Sequence, residues 1–175
     1  MSRVKALSEI FSEISKIKIK AERIQALRNA QLEMLKHVAP NESTLLKNVI
    51  LCAYHPRVIW LLPRGIPPFR TNNVPNSETA LYRESKHLQD FCFTGPRTNM
   101  SQDNRESMWI NFLQDLFYED AILMCNVKDK MINYPYLTYS LMREAFPDWL
   151  PPKTWLTEKE RSETNEDNVV LDLRK

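Results

Sequence analysis

The chain has 175 residues, of which 43% are apolar and 26% charged, a composition that fits one globular domain with an adequate core. The formal net charge is +2, and only two glycines occur, Gly65 and Gly95, roughly a sixth of average usage. Two isolated glycines exclude a dinucleotide fingerprint, a phosphate loop and a nucleophile elbow, and they disfavour an all-β fold, whose hairpins and bulges lean on glycine.

The opening Met1-Ser-Arg-Val-Lys runs into an amphipathic pattern without the apolar core of a signal peptide, and no stretch approaches eighteen apolar residues. A cytoplasmic protein without a membrane span is expected. Cys52, Cys92 and Cys125 then read as reduced, buried thiols. Charge is uneven along the chain: residues 1–90 carry 14 Lys/Arg against 8 Asp/Glu, a balance of +6, and the remainder sums to −4. Such a split points the N-terminal half towards a polyanion or an acidic partner.

Apolar residues at Val4, Leu7, Ile10/Phe11, Ile14 and Ile17 predict a first helix within 3–17. Ser15-Lys-Ile-Lys-Ile-Lys20 is a basic turn into a second helix from Lys20 to about Asn29, with Ile24 and Leu27 inward. Leu32, Leu35 and Val38 extend that apolar face until Pro40. Asn41-Glu-Ser-Thr44 supplies N-cap candidates for a third helix carrying Leu45, Leu46, Val49, Ile50 and Ala53, which Pro56 ends. Residues 57–62, Arg-Val-Ile-Trp-Leu-Leu, are a buried strand or a short buried helix, between which periodicity does not decide. A proline-rich loop follows over 63–76, of a length often used for function. Ser77 or Asn76 caps a helix with Leu81, Leu88 and Phe91 as its stripe, and a second loop spans 94–104. Two helices then hold Met108 to Phe117 and Ile122 to Met131, and a last one runs from about Tyr136 to Phe146. The expected fold is a single all-α domain over 1–152 of six to eight helices, with a charged, mobile tail over 153–175.

Cys52-Ala-Tyr-His55 has ligand-like spacing, and His87 and Cys92 would complete a zinc set. Cys52 nevertheless sits mid-helix on an apolar segment, and His87 to Cys92 lacks a recognised spacing, so neither a metal nor another cofactor is predicted. The pairs Glu119-Asp120 and Glu166-Asp167 have structural explanations, at a helix start and in the tail. Trp109, Phe112 and Phe117 are spaced as core rather than as a base-stacking platform. The cations are different in kind. Lys16, Lys18, Lys20 and Arg23 lie beside a helix N-terminus whose free N–H groups accept a phosphate oxygen, and Arg64, Arg70 and Arg97 sit in exposed loops. The bland alternative is a solvated lysine face.

The stretch from Glu13 to Leu27, followed by Leu45-Leu46-Lys47, Val49 and Tyr54, resembles the opening of the N-terminal DNA-binding domain of ATP-dependent DNA ligases, especially those of tailed bacteriophages. Leu137-Thr-Tyr-Ser-Leu-Met-Arg-Glu-Ala-Phe-Pro-Asp-Trp-Leu-Pro151 is similar to that domain's last DNA-facing helix. The segment Trp60-Leu-Leu-Pro-Arg-Gly-Ile-Pro-Pro68 also resembles small proteins of T-even-type phages. Neither glycine follows an aspartate, so the ligase adenylation motif Lys-x-Asp-Gly is missing, and Tyr134-Pro-Tyr136 stands where the ligase domain usually has a glycine. The resemblance implies a non-catalytic module on double-stranded DNA, an accessory of phage replication, repair or transcription. Its contacts would come from Lys16, Lys18, Lys20, Arg23, Arg64, Arg70 and Arg97, with Thr138 and Ser140 near the last helix start. Four to six phosphate contacts would make log affinity fall against log salt with a slope of very roughly −4 to −5. The rival reading is an adaptor that docks on a phage or host replication or transcription protein through loop 60–70 and the apolar tail end Val169–Leu173.

Overall fold

The structure, a computed structural model, describes residues 3–71, 77–93 and 99–152. Among them are seven α-helices: α1 (Leu7–Ser15), α2 (Lys20–Leu35), α3 (Leu45–Tyr54), α4 (Ala80–Glu84), α5 (Gln102–Gln114), α6 (Tyr118–Lys128) and α7 (Tyr139–Ala145), with short 3₁₀ segments at Ser77–Thr79 and Ser85–Phe91. The predicted all-α class holds. The tail from 153 onward lies outside the described residues.

The third helix forms the spine. Thr44 caps it, its hydroxyl accepting from the Lys47 amide at 3.2 Å, and eight of its ten residues are buried. A helix apolar on every side belongs in the middle of a domain, and α3 packs against both α2 and α6. Pro56 disfavours helical geometry at the residue before it, and His55 is accordingly extended. On α1 the predicted stripe Leu7, Phe11 and Ile14 is buried.

Four boundaries and faces differ from expectation. The second helix does run on to Leu35, but Leu32 and Leu35 are 60% and 47% exposed, because a residue five positions beyond Leu27 is rotated about 140° from it. Met34 is the inward residue instead. The run 57–62 is neither strand nor helix: Trp60 makes one isolated bridge to Cys92, with Leu61 N donating to Phe91 O and Phe93 N to Ile59 O. Ser101 caps α5 by accepting from the Asn104 amide, which starts that helix inside the expected loop. Finally, α6 stops at Lys128, leaving Met131 48% exposed.

Trp109 and Phe112 are buried as predicted. Trp109 meets Phe91 and Trp60 edge-on at centroid distances of 5.0 and 5.7 Å, and stacks on Phe112 at 5.2 Å, the offset and edge-to-face geometries aromatic quadrupoles favour. No described helix is long and apolar enough to cross a membrane.

Candidate nucleic-acid interface

The turn between α1 and α2 is built by backbone economy. Lys16 ends α1, its N–H donating to the Glu13 carbonyl and the Ile17 N–H to that of Ile14, and Ile19 precedes α2 in an extended conformation without offering a side-chain cap. The first N–H groups of a sixteen-residue helix are therefore free for an external acceptor. Lys16 and Lys18 are exposed beside them, and among the described residues neither has an ion-pair partner.

The other two cations of the cluster are engaged within the chain. Lys20 Nζ lies 2.5 Å from Glu144 Oε2 of α7, an exposed pair worth little and readily exchanged. Arg23 is only 7% exposed. Its Nη1 donates to the Ile17 and Lys18 carbonyls at 2.6 and 3.1 Å, and its guanidinium lies 4.4 Å from the centroid of the Tyr136 ring. Arg23, one of the predicted phosphate contacts, is thus buried and braces the turn from below. Arg28 adds a second staple, donating to the carbonyls of Ala145 and Glu144 at 3.1 and 3.3 Å, the unsatisfied C-terminal groups of α7.

Through Lys20, Arg23 and Arg28 the lysine turn and α7 become one surface, although about 120 residues separate them in sequence. Thr138 caps α7, accepting from the Leu141 amide at 3.3 Å, and Ser140 is exposed in its first turn. Arg64 and Arg70 are exposed on a different segment, and no described hydrogen bond or ion pair links them to the lysine turn. Arg97 lies outside the described residues.

Tyr136 has φ +67°, the left-handed region, where a non-glycine residue costs about 1–2 kcal/mol. The Arg23–ring contact offsets part of that cost. Tyr136→Gly should leave thermal stability within about 1 kcal/mol of the parent, whereas Tyr136→Val, β-branched, should cost about 1–2 kcal/mol more than Gly. Denaturant titration of the two variants checks this, and a destabilised glycine variant with an unaffected valine one would contradict it.

A second charged cluster had no sequence signal beyond the tripeptide Lys128-Asp-Lys130. Lys128, 3% exposed, donates to Pro63 O at 2.6 Å and to Asp129 Oδ1 at 2.7 Å. Asp129 Oδ2 accepts from the Gly65 amide at 2.9 Å, at a turn where Gly65 adopts φ +92°. Lys130 Nζ donates to the carbonyls of Cys52, His55 and Val58. The three side chains fasten residues 52–65 to the end of α6.

The cysteines sit in this same region and are buried and unpaired. A hydrogen bond with Cys52 and burial hold the Cys92 thiol well above its ordinary value, and burial pushes Cys125 up to about 11. Both are protonated at neutral pH and poor nucleophiles. Burial, with Lys130 and Arg57 nearby, pushes His55 down to about 4, and its Nδ1 accepts from the Arg57 amide. His87 turns instead towards Glu84 and Asp90. Among the described residues no group of three or more His, Cys, Asp or Glu side chains is placed to hold a metal.

These features define an all-α domain with a stapled, cation-bearing helix junction. The chain belongs to a family of unknown function, DUF6433, whose profile matches residues 10–134. The match includes the lysine turn and the Lys128–Lys130 clasp and stops before Thr138 and Ser140. No curated protein and no solved structure matches the chain.

Proposed function

We propose that this chain is a non-catalytic module that binds the phosphate backbone of double-stranded DNA without reading its sequence, as an accessory of phage replication, repair or transcription. One observation carries the reading: Lys16 and Lys18 stand exposed and unpaired beside the uncapped N-terminus of α2. Backbone N–H groups, a positive helix end and flanking ammonium groups are together an anion site, and phosphate neutralisation is the main source of sequence-independent affinity. Lys20 joins them by exchanging Glu144 for phosphate, while Thr138 and Ser140 offer hydroxyls from α7. Because Arg23 is spent on the turn, the contacts are fewer than the sequence implies.

With two or three phosphates engaged at the junction, log affinity should fall against log salt with a slope of about −2 to −3. The measurement is an anisotropy titration with intact and nicked duplex at two salt concentrations. Lys16→Glu with Lys18→Glu should weaken binding at least about tenfold, and Glu22→Gln, which removes an acid from the first turn of α2, should tighten it by about twofold. A duplex complex that is undetectable or insensitive to salt would sink the proposal.

A specific observation also favours the adaptor reading. Ile59, Ile66 and Phe93 are 54%, 56% and 46% exposed, on segments joined by the Phe93 N to Ile59 O bond and held by the Lys128–Lys130 clasp. Exposed apolar residues of this kind suit docking on a protein partner. The tail residues Val169–Leu173, also assigned to this role, lie outside the described residues. Ile59→Asp with Ile66→Asp should leave the duplex titration unchanged, which separates the two surfaces.

A further inference from the structure

Tyr136 is the most exposed large apolar side chain among the described residues, at 61%, yet its ring is fixed in place. The Arg23 guanidinium lies over that ring, 4.4 Å from the centroid, while its Nη1 donates to the Ile17 and Lys18 carbonyls. Arg23 is itself buried, and its Nε makes no hydrogen bond among the described residues. One buried cation therefore ties an exposed ring to the lysine turn. Arg23 covers one face of the ring, and a residue so largely exposed presents the opposite face to solvent.

The backbone makes this an expensive place for a ring. Tyr136 is in the left-handed region, φ +67°, where glycine would be free of strain, and strained residues held by tertiary contacts cluster at ligand sites. Ile19, 56% exposed, likewise stands between Lys18 and Lys20 in the sequence. Phosphate binding alone needs neither side chain. Cations that track a backbone beside aromatic surface that stacks bases are the composition of single-strand sites. A base inside a duplex is closed to such a ring by its own neighbours, so only an unpaired base can reach it.

We infer that the junction takes DNA at the step from duplex to single strand, a reading that rests on the phosphate site proposed above and narrows its substrate. The lysine turn holds duplex phosphates, and the open face of Tyr136 stacks on the first unpaired base. Stacking accepts every base, so the site selects structure without reading sequence.

The test is an anisotropy titration of the full chain with three DNAs: a blunt duplex, the same duplex with a short adenine overhang, and one with an abasic overhang of equal length. The abasic strand keeps the phosphates and removes the bases. The adenine overhang should bind roughly tenfold tighter than the blunt duplex, and the abasic overhang should lose most of that gain. Tyr136→Phe should keep the ratio, whereas Tyr136→Gly, which suits the backbone, should bring it close to one. The abasic comparison uses the parent protein and decides the matter even where a variant is unstable. A preference that is missing from the parent, matched by the abasic strand, or retained by Tyr136→Gly would overturn the inference. Salt-dependent binding of all three DNAs with equal affinity refutes the stacking site alone, whereas binding of none refutes the phosphate site and the stacking site with it.

Discussion

Replacing Lys130 with alanine should lower the unfolding free energy by about 3 kcal/mol, a drop in melting temperature of about 6–12 °C for a domain of this size. Lys130 Nζ donates to Cys52 O at 3.1 Å and to His55 O and Val58 O at 2.9 Å. Hydrogen bonds from a charged donor contribute about 1.5–3 kcal/mol each, and a buried carbonyl left without any donor costs about 1–3 kcal/mol. The three losses are not equal. Cys52 O also accepts from Trp60 Nε1 at 3.0 Å, and His55 O accepts from the Val58 amide. Val58 O accepts from Lys130 with no second donor among the described hydrogen bonds, so it bears most of the penalty. Burial pushes the Lys130 ammonium down to about 8, which leaves it charged at neutral pH and able to hold all three carbonyls. Its backbone adds a control, for Lys130 follows α6 in the left-handed region, φ +65°, the position a glycine usually takes after a helix. Lys130→Gly forfeits the same hydrogen bonds but relieves the strain, so it should be about 1 kcal/mol more stable than Lys130→Ala. Chemical denaturation of the pair gives the answer. An alanine variant within about 1 kcal/mol of the parent would mean that the clasp is ornamental.

Lys130 also shows where the sequence stops being informative. The α1 stripe, the Thr44 cap and Pro56 are local signals, and each defines an element through geometry that a few neighbouring residues determine. The clasp depends on a lysine meeting carbonyls 72 to 78 positions away, and no local pattern marks a lysine whose charge will be buried. Arg23 fails for the same reason. Its place in a basic run predicts a solvent-facing cation, yet the turn carbonyls of Ile17 and Lys18 draw it inward. Leu32 and Leu35 misled through composition, because an apolar residue implies a buried face only when its helical phase matches the stripe before it. The scarcity of glycine has a consequence the count alone did not disclose. Two left-handed positions, Lys130 and Tyr136, are filled by large side chains, each held by tertiary contacts. The lysine turn was legible because it depends on residues adjacent in sequence, whereas its fusion with α7 rests on Lys20, Arg23 and Arg28 reaching across the chain.

Asp120 yields the second large effect, in the dependence of stability on pH. It is 0% exposed, and its Oδ1 accepts from the Ser8 amide in the first turn of α1 at 2.9 Å, so that α6 caps α1 from a distance. Burial pushes its carboxyl up from 3.8 to about 6, against the lowering effect of Ser8 and with smaller help from Glu9 and Glu119. Between those two values the folded protein holds a proton that the unfolded chain releases. The associated stability is therefore complete below about pH 4 and is lost as pH rises through about 6, to a limit of about 3 kcal/mol. The sign is opposite to that of a salt-bridged carboxylate, which loses stability on acidification. Asparagine keeps an oxygen for the Ser8 amide, needs no proton, and places an N–H beside the buried Ser8 hydroxyl. Asp120→Asn should accordingly remove this component of the pH slope and be more stable than the parent at pH 7, whereas Asp120→Ala, leaving the Ser8 amide without its acceptor, should fall about 1–2 kcal/mol below Asn. Denaturation curves at pH 4.5 and 7 for the three proteins decide the matter. Equal pH slopes for parent and Asn would show that the capping carboxylate is ionised throughout and that the dipole of α1 outweighs its burial.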